Sequence, residues 1–205
     1  MAIVTLACIV SYLALTFGVR TVVQIRRTGR SGFLGFAGAR SPLDALGGIA
    51  FALAIALAVA APILSLAGVS EPLVHIPAAI RLAIGLPLFL VGAIATFRAQ
   101  LAMGDAWRIG VDFDERTELV HRGPFARVRN PIYTAMMGTA AALVVLLPSA
   151  AAVASLVLLV AGVEVQVRAV EEPYLVATHG RAYRDYAARV GRFVPGVGRL
   201  PGAAV

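Results

Sequence analysis

The sequence contains no lysine, so all 18 of its basic residues are arginines. A lysine Schiff base and a lysine general base are therefore excluded. The single cysteine, Cys8, has no disulfide partner within the chain and lies in an apolar segment, where packing is its expected role. No histidine, cysteine and carboxylate residues have zinc-site spacing, and no glycine-rich phosphate-binding fingerprint joins a strand to a helix.

Charge is also scarce in this chain. Charged residues make up 14% of it, whereas hydrophobic residues make up 60%. The mean hydropathy is +0.86, and this composition predicts an integral membrane protein. Because no repeat, linker or low-complexity segment divides the chain, we expect a single domain over residues 1–205. Its expected partners are membrane lipids and not nucleic acid.

The apolar segments predict an all-α, polytopic membrane protein with about five transmembrane helices. Pro148, within "LLPSA", divides one long apolar segment into an antiparallel pair, because proline disrupts a helix interior. Arg81 lies close enough to the start of its span for the guanidinium to reach the interface. The predicted spans are residues 2–19, 45–69, 76–97, 132–147 and 149–167.

The arginines predict the orientation of these spans. In the five-span arrangement, 17 of the 18 arginines fall on one side of the membrane. By the positive-inside rule that side is the cytoplasm, so we expect the N-terminus outside and the C-terminus inside, in the cytoplasmic (inner) membrane. Polar chemistry is then expected on the cytoplasmic side, within residues 98–131 and 168–199. The same charge also suits anionic lipid headgroups.

The stretch "HRGPFARVRNPIY", residues 121–133, stands at the entrance to the fourth span. Asn130 can act as an N-cap by accepting a hydrogen bond from a free backbone N–H. Pro131 suits the first helical position because it has no N–H. Free N–H groups beside arginines favour an anion site, and the simpler interpretation is a capped helix with membrane-flanking charge. Residues 117–120, just before this stretch, are a candidate short strand.

A row of ionisable residues ends the fifth span. Glu164, Arg168 and Glu171 are spaced to share one helix face, and Glu172 lies four residues beyond Arg168. Because such groups are costly in a bilayer, we expect them to face a partner or a polar cavity. The alternative is an ion-paired helix end that stops at Pro173.

Beyond Pro173, apolar and aromatic residues recur at helical spacing. They predict an amphipathic helix that lies on the membrane or over the preceding loop. Packing is the expected role of its tyrosines, and packing or surface exposure that of His121 and His179. The residues in this pattern are Leu175, His179, Ala182, Tyr183, Tyr186 and Val190.

Two of these segments resemble a known superfamily. "GPFARVRNPIY" resembles the Gly-Pro-Tyr…Val-Arg-His-Pro-x-Tyr signature of the isoprenylcysteine carboxyl methyltransferase and phospholipid methyltransferase superfamily. "RAVEEPYLVATHGRAYRDYAARVGRFVP" resembles its C-terminal Arg-x-x-Glu-Glu block, which ends in a tyrosine-rich segment and proline. Both blocks occur in the family's order, and the resemblance covers roughly residues 103–195.

The resemblance implies an integral membrane enzyme that transfers the methyl group of S-adenosylmethionine to a lipophilic or prenylated acceptor. It implies that Arg168 faces the cofactor or acceptor and that Glu172 shares in catalysis. An amine acceptor would need to lose a proton, for which a glutamate is the available base. The cofactor-binding residues implied by position are Val120, His121, Gly123, Pro124, Val128, Arg129, Asn130, Pro131, Tyr133, Glu171 and Glu172.

Two residues depart from the family pattern. Asn130 replaces a common histidine, and His179 replaces a common aromatic residue before glycine. Asparagine keeps a hydrogen-bond donor and an acceptor but carries no proton at neutral pH. A histidine role that depends on hydrogen bonding is therefore retained, whereas one that depends on protonation is lost.

Two other functions fit the same architecture. Membrane sterol reductases have a similar C-terminal block and use NADPH, whose phosphates would suit Arg127 and Arg129. A non-enzymatic lipid-binding or helix-packing protein would keep the polar row as a structural ion pair. For a methyltransferase, the acceptor class remains open among carboxylates, amines, hydroxyls and thiols.

Overall fold

The computed structural model describes residues 1–32, 42–110 and 118–202. Within these ranges no strand forms: Thr117 of the candidate strand lies outside them, and residues 118–120 have no regular secondary structure. Short 3₁₀ turns occupy Gly104–Ala106 and Gly123–Ala126. The described helices, in chain order, are α1 (Ala2–Thr28), α2 (Pro42–Leu66), α3 (Ala78–Ala102), α4 (Pro131–Leu146), α5 (Ala150–His179) and α6 (Arg181–Arg189).

The predicted all-α, polytopic architecture is confirmed. Helices α1, α2, α3 and α5 are long and apolar enough to cross a membrane, and α4 is a shorter apolar helix. The predicted end of the first span at Val19 falls inside α1, which continues to Thr28. After Val19, no glycine or proline occurs until Gly29, whose φ of +74° ends the helix. The first arginines therefore lie on a helix and not in a loop.

Helix α5 also continues past its predicted end at residue 167. A π-helical segment, Gln166–Glu171, ends two residues before Pro173, and regular α-helix resumes over Glu172–His179. Proline has no N–H to donate, and a local change of helical pitch accommodates that missing donor. The helix thus carries Glu171 and Glu172 beyond the apolar part of the span.

The predicted helical hairpin at "LLPSA" is confirmed. Helix α4 ends at Leu146, and the hydroxyl of Ser149 caps α5 by accepting a hydrogen bond from the Ala152 N–H at 3.3 Å. Arg81 donates to the carbonyl of Leu146 at 3.4 Å. Its charge therefore lies at the C-terminal end of α4, where a cation is favourable.

Small residues allow the helices to approach closely in two pairs. In the α2–α5 pair, a Cβ atom at Gly162 would lie 3.0 Å from the Cβ of Ala50. In the α3–α4 pair, a Cβ atom at Gly92 would lie 3.1 Å from the backbone nitrogen of Thr139. Glycine at a helix crossing is a common means of packing within membranes.

The predicted amphipathic segment forms two helices instead of one. Gly180, with φ +54° and ψ −122°, separates α5 from α6 because this conformation is outside the helical region. Tyr183 and Tyr186 of α6 pack against Leu119 of the preceding loop and against Leu175 of α5. Helix α6 therefore lies over the loop, and its tyrosines pack there as expected.

Candidate functional site

A cavity of about 670 Å³ lies where α4 begins and α5 nears its end. This volume is typical of pockets that hold small molecules or cofactors. Leu13 and Phe17 of α1 and Phe51 and Ile55 of α2 form an apolar part of its wall. The polar and ionisable residues that line it are Asp44, Gln100, Arg108, Glu118, Arg129, Asn130, Tyr133, Gln166, Glu171, His179, Tyr183 and Tyr186.

The start of α4 is held by the C-terminal segment. The backbone N–H groups of Arg129 and Asn130 donate to the carbonyls of Gly191 and Arg192, at 2.8 and 3.1 Å. Pro131 occupies the first helical position, as predicted. Asn130 occupies the N-cap position but makes no side-chain cap hydrogen bond; its Nδ2 donates to the Arg192 carbonyl at 3.3 Å. The predicted capping role of its side chain is therefore wrong, because the neighbouring segment offers a carbonyl.

Glu172 is the centre of a buried ion-pair cluster. Its Oε1 accepts from Arg129 Nη2 at 2.5 Å and from Arg192 Nε at 2.7 Å, and its Oε2 accepts from Arg192 Nη2 at 2.8 Å. The bond to Glu172 raises the pKa of the Arg192 guanidinium above its ordinary value. One buried cation, Arg129, and one partly buried cation, Arg192, thus share one carboxylate.

Arg129 also ties the C-terminal segment to α6. Its Nη1 donates to the carbonyls of Ala187 and Val190 at 3.0 and 2.7 Å, and its Nη2 donates to the carbonyl of Gly198 at 3.0 Å. Its Nε is buried and has no partner among the residues that the structure describes. Both terminal nitrogens of the guanidinium are therefore hydrogen-bonded within the protein, and the Nε–H group has no partner among the described residues.

Glu171 and Tyr133 bring the two sequence blocks together inside the cavity. The Tyr133 hydroxyl donates to Glu171 Oε1 at 2.6 Å, and both residues line the cavity. Tyr133 comes from the first turn of α4, whereas Glu171 ends the π-segment of α5. The hydrogen bond fixes the carboxylate relative to the helix start.

The structure divides the residues implied by the resemblance into two groups. Val120, Arg129, Asn130, Pro131, Tyr133 and Glu171 line the cavity. The residues that do not are His121, Gly123, Pro124, Val128, Arg168 and Glu172.

Some residues outside the cavity have clear structural surroundings. His121 is exposed, and its Nδ1 lies 3.0 Å from the carbonyl of Leu119. Val128 forms an isolated bridge with Gly191, and Gly123 adopts a φ of +61° at the start of the 3₁₀ turn. These residues shape the segment that leads into α4.

Arg168 lies on the outside of α5. Its side chain is 59% exposed and pairs with Glu164 one helical turn earlier. The expected row of charges therefore faces three directions. The Glu164–Arg168 pair is outward, Glu171 faces the cavity, and Glu172 faces Arg129 and Arg192. The π-segment alters the angular step between these residues, so the regular helical spacing used in the prediction does not apply.

The sequence interpretation missed the contribution of the first three helices. Gln100 in α3 is 3% exposed and lines the cavity, as does Trp107 in the following loop. The Trp107 ring lies 4.4 Å from the guanidinium carbon of buried Arg20. The predicted third span ends at residue 97 and leaves Gln100 in the following loop, whereas the helix continues to Ala102 and carries Gln100 into the interior.

Comparison with known proteins identifies the family of the chain. A protein-family model described as phospholipid methyltransferase matches residues 80–182. That range contains α4, α5, the Tyr133–Glu171 pair and Gln100. No curated protein matches the chain. Since the family model covers half of the sequence, the chain belongs to the phospholipid methyltransferase family, within the superfamily of membrane methyltransferases that also contains the isoprenylcysteine carboxyl methyltransferases.

Proposed function

We propose that the protein transfers the methyl group of S-adenosylmethionine to a lipophilic acceptor at the membrane surface. One observation carries the proposal: the Tyr133–Glu171 pair and an apolar wall from α1 and α2 line the same cavity. A transfer between a polar cofactor and a lipid requires both to be held side by side. Membership of a membrane methyltransferase family supports the same reaction class.

The residues around the cavity fit S-adenosylmethionine. This cofactor combines a sulfonium, an amine, a carboxylate, ribose hydroxyls and an adenine. Glu171 and Glu118 offer carboxylates to the amine or the hydroxyls, and the unpartnered Nε of Arg129 offers an N–H to the carboxylate. Phe125 and Trp107 add aromatic surface to the apolar walls that adenine requires.

The chemistry supplied by the bound cofactor is an electrophilic methyl group, because its carbon–sulfur bond breaks with the electron pair going to a positively charged sulfur. The protein therefore has to align the acceptor and exclude water more than it has to supply a strong base. A carboxylate acceptor needs no base. An amine acceptor must release a proton, which the Glu171 carboxylate, held by the Tyr133 hydroxyl, can accept.

Glu172 and Arg168 have different roles in this proposal. The charge of Glu172 is shared by Arg129 and Arg192, so Glu172 supports the site through Arg129. Arg168 can meet an acceptor carboxylate at the membrane surface only by leaving Glu164. Glu171 replaces Glu172 as the carboxylate that acts on the ligands.

We further propose that the acceptor enters from the membrane and the cofactor from the arginine-rich side, which we assign to the cytoplasm. Leu13, Phe17 and Ile55 belong to helices long enough to span the bilayer, and they line the cavity. An apolar chain can thus reach the site without crossing water. Prenyl and acyl chains both satisfy this requirement.

Calorimetric titration of the detergent-purified protein tests the proposal. We expect S-adenosylmethionine and S-adenosylhomocysteine to bind, and Glu171→Gln to weaken both about tenfold or more, because a charge-assisted hydrogen bond is lost. Glu164→Gln is the matched control, since it removes an exposed carboxylate from the same helix. Its affinities should equal those of the unchanged protein.

The other outcomes select the other functions. Binding of NADPH alone would favour a membrane reductase. A folded protein that binds neither S-adenosylmethionine, S-adenosylhomocysteine nor NADPH would favour a non-enzymatic lipid-binding role. Equal affinity in the Glu171→Gln variant would contradict the assignment of Glu171.

A further inference from the structure

Gln100 lines the cavity and has an unused hydrogen-bond acceptor. Its Nε2 donates to the backbone carbonyl of Thr16 at 3.1 Å. This contact fixes the orientation of the amide, because the opposite orientation would set two acceptor oxygens against each other. The remaining atom, Oε1, is buried and accepts no hydrogen bond from the residues that the structure describes. Leaving a buried carbonyl unpaired costs free energy, which a ligand donor would recover.

The position of Gln100 relates it to the apolar side of the cavity. Thr16 lies in the π-segment Ala14–Val19 of α1, between Leu13 and Phe17. Leu13, Phe17, Ile55 and Met136 line the large cavity and also a smaller one of about 50 Å³ that extends between the helices. Gln100 is therefore bonded to the stretch of α1 where the polar cavity passes into an apolar crevice. A lipid that occupied both would place its headgroup near this junction.

We propose that Gln100 Oε1 accepts a hydrogen bond from an N–H or O–H group on the acceptor headgroup. The apolar chain of the acceptor then follows Leu13, Phe17 and Ile55 into the smaller cavity. A carboxylate headgroup would instead bring its own acceptor oxygens to Oε1, which is unfavourable. Gln100 thus selects lipids with an amine or hydroxyl headgroup over lipid carboxylates. This inference rests on the proposed function, since it concerns the methyl acceptor of the same cavity.

We assign the cofactor to other residues of the same cavity. Glu171 and Arg129, the residues suited to its amine and carboxylate, belong to α5 and to the start of α4. Gln100 belongs to α3 and bonds to α1. The two sets of polar groups thus come from different helices, which leaves Gln100 for the second ligand.

Trp107 provides a readout that does not depend on activity. It is the only tryptophan in the sequence, and it lines the cavity. We would titrate the detergent-purified protein, saturated with S-adenosylhomocysteine, with tetradecylamine, tetradecanol and tetradecanoate and follow tryptophan fluorescence. The three probes have equal chain lengths, so differences between them report the headgroup. Comparison of the amine with the alcohol distinguishes an N–H from an O–H donor.

We expect the amine or the alcohol to bind more tightly than the carboxylate. In Gln100→Leu, the affinity for the donor-bearing probe should fall about fivefold to tenfold, as for the loss of one hydrogen bond, and the affinity for tetradecanoate should not fall. Gln24→Leu is the matched control. Gln24 is also a buried glutamine, with Nε2 donating to the Asp105 carbonyl at 2.8 Å and Oε1 unpartnered among the described residues, but it does not line the cavity.

Several outcomes would overturn the inference. These are no saturable response to any probe, an equal loss for all three probes in Gln100→Leu, and the same pattern of losses in Gln24→Leu. Loss of S-adenosylhomocysteine binding in Gln100→Leu, with the probes unaffected, would assign Gln100 to the cofactor. If the unchanged protein discriminates between the probes through Gln100 but does not bind S-adenosylhomocysteine, the proposed function fails and the headgroup subsite remains.

Discussion

Glu171 and Glu172 are adjacent in the chain, yet their carboxylates have different surroundings. Glu171 lines the cavity and accepts from the Tyr133 hydroxyl, whereas Glu172 is buried between Arg129 and Arg192. Burial of the Arg129 charge, and partial burial of the Arg192 charge, is favourable only while their shared anion is present. At the scale of single residues, one glutamate is therefore available to ligands and the other maintains the structure around the start of α4.

Removal of the Glu172 charge should destabilise the protein strongly. In Glu172→Gln, the buried Arg129 and the partly buried Arg192 lose their counter-charge, and breaking a buried ion pair typically costs about 3–5 kcal/mol. Glu164→Gln breaks the exposed pair with Arg168, for which about 0–1 kcal/mol is typical. Thermal unfolding in detergent micelles should show a large fall in the midpoint for Glu172→Gln and almost none for Glu164→Gln. Equal shifts in the two variants would contradict the structural role of Glu172.

Two of the helices that form the cavity, α1 and α5, contain a π-helical segment. Ala14–Val19 in α1 supplies the Thr16 carbonyl that orients Gln100, and Gln166–Glu171 in α5 directs Glu171 inward. Each segment changes the angular position of the residues that follow it. At the scale of the helix, a local change of pitch therefore places polar groups at the cavity on both sides.

These segments also mark the limit of what the sequence predicts. Hydropathy and Pro148 gave the number of apolar helices and the hairpin, because burial in lipid requires long apolar runs. The family motifs identified Tyr133 and Glu171, which do meet in the cavity. Regular helical spacing placed Arg168 on the same face as Glu171, and the π-segment separates them. The role proposed for Gln100 depends on its hydrogen bond to Thr16 of α1, and local sequence patterns do not predict a contact between residues so far apart in the chain.

The α3–α4 contact should tolerate little added volume. A Cβ atom at Gly92 would lie 3.1 Å from the backbone nitrogen of Thr139 and 3.2 Å from its Cα. Gly92→Leu must therefore move the helices apart, and overpacking of this kind costs about 1–3 kcal/mol or more. We expect a lower midpoint of thermal unfolding in micelles.

Gly138→Leu is the control for this substitution. Gly138 lies on the exposed side of α4, and a Cβ atom there meets nothing within 4 Å. Leucine also has a higher helix propensity than glycine, by less than about 1 kcal/mol, so the stability should be unchanged or slightly higher. A similar loss in both variants would indicate that added bulk, and not the Gly92–Thr139 contact, determines the stability.

The two ends of the helical bundle differ: one carries the cavity with its polar residues, and the other carries the short loops between α2 and α3 and between α4 and α5. The N–H of Leu73, between α2 and α3, donates at 2.7 Å to the carbonyl of Pro148, between α4 and α5, so both loops lie at the same end. The cavity lies at the other end.

Helix α5 has 30 residues, or about 45 Å, whereas α4 has 16, or about 24 Å. Against an apolar bilayer core of about 30 Å, α5 extends into the headgroup region and α4 begins near the edge of the core. The site is thus at the depth where lipid headgroups lie.

The orientation of this end in the membrane can be tested with single cysteines in a Cys8→Ala background. Val69 in the α2–α3 loop is 72% exposed, and Val197 beside the arginine-rich C-terminal segment is 63% exposed. By the positive-inside rule, a membrane-impermeant thiol reagent should label Val69→Cys in intact cells and Val197→Cys only after the membrane is opened. Both variants should react fully in detergent, which controls for accessibility within the fold. Labelling of Val197→Cys in intact cells would place the cavity outside, where cytoplasmic S-adenosylmethionine could not reach it.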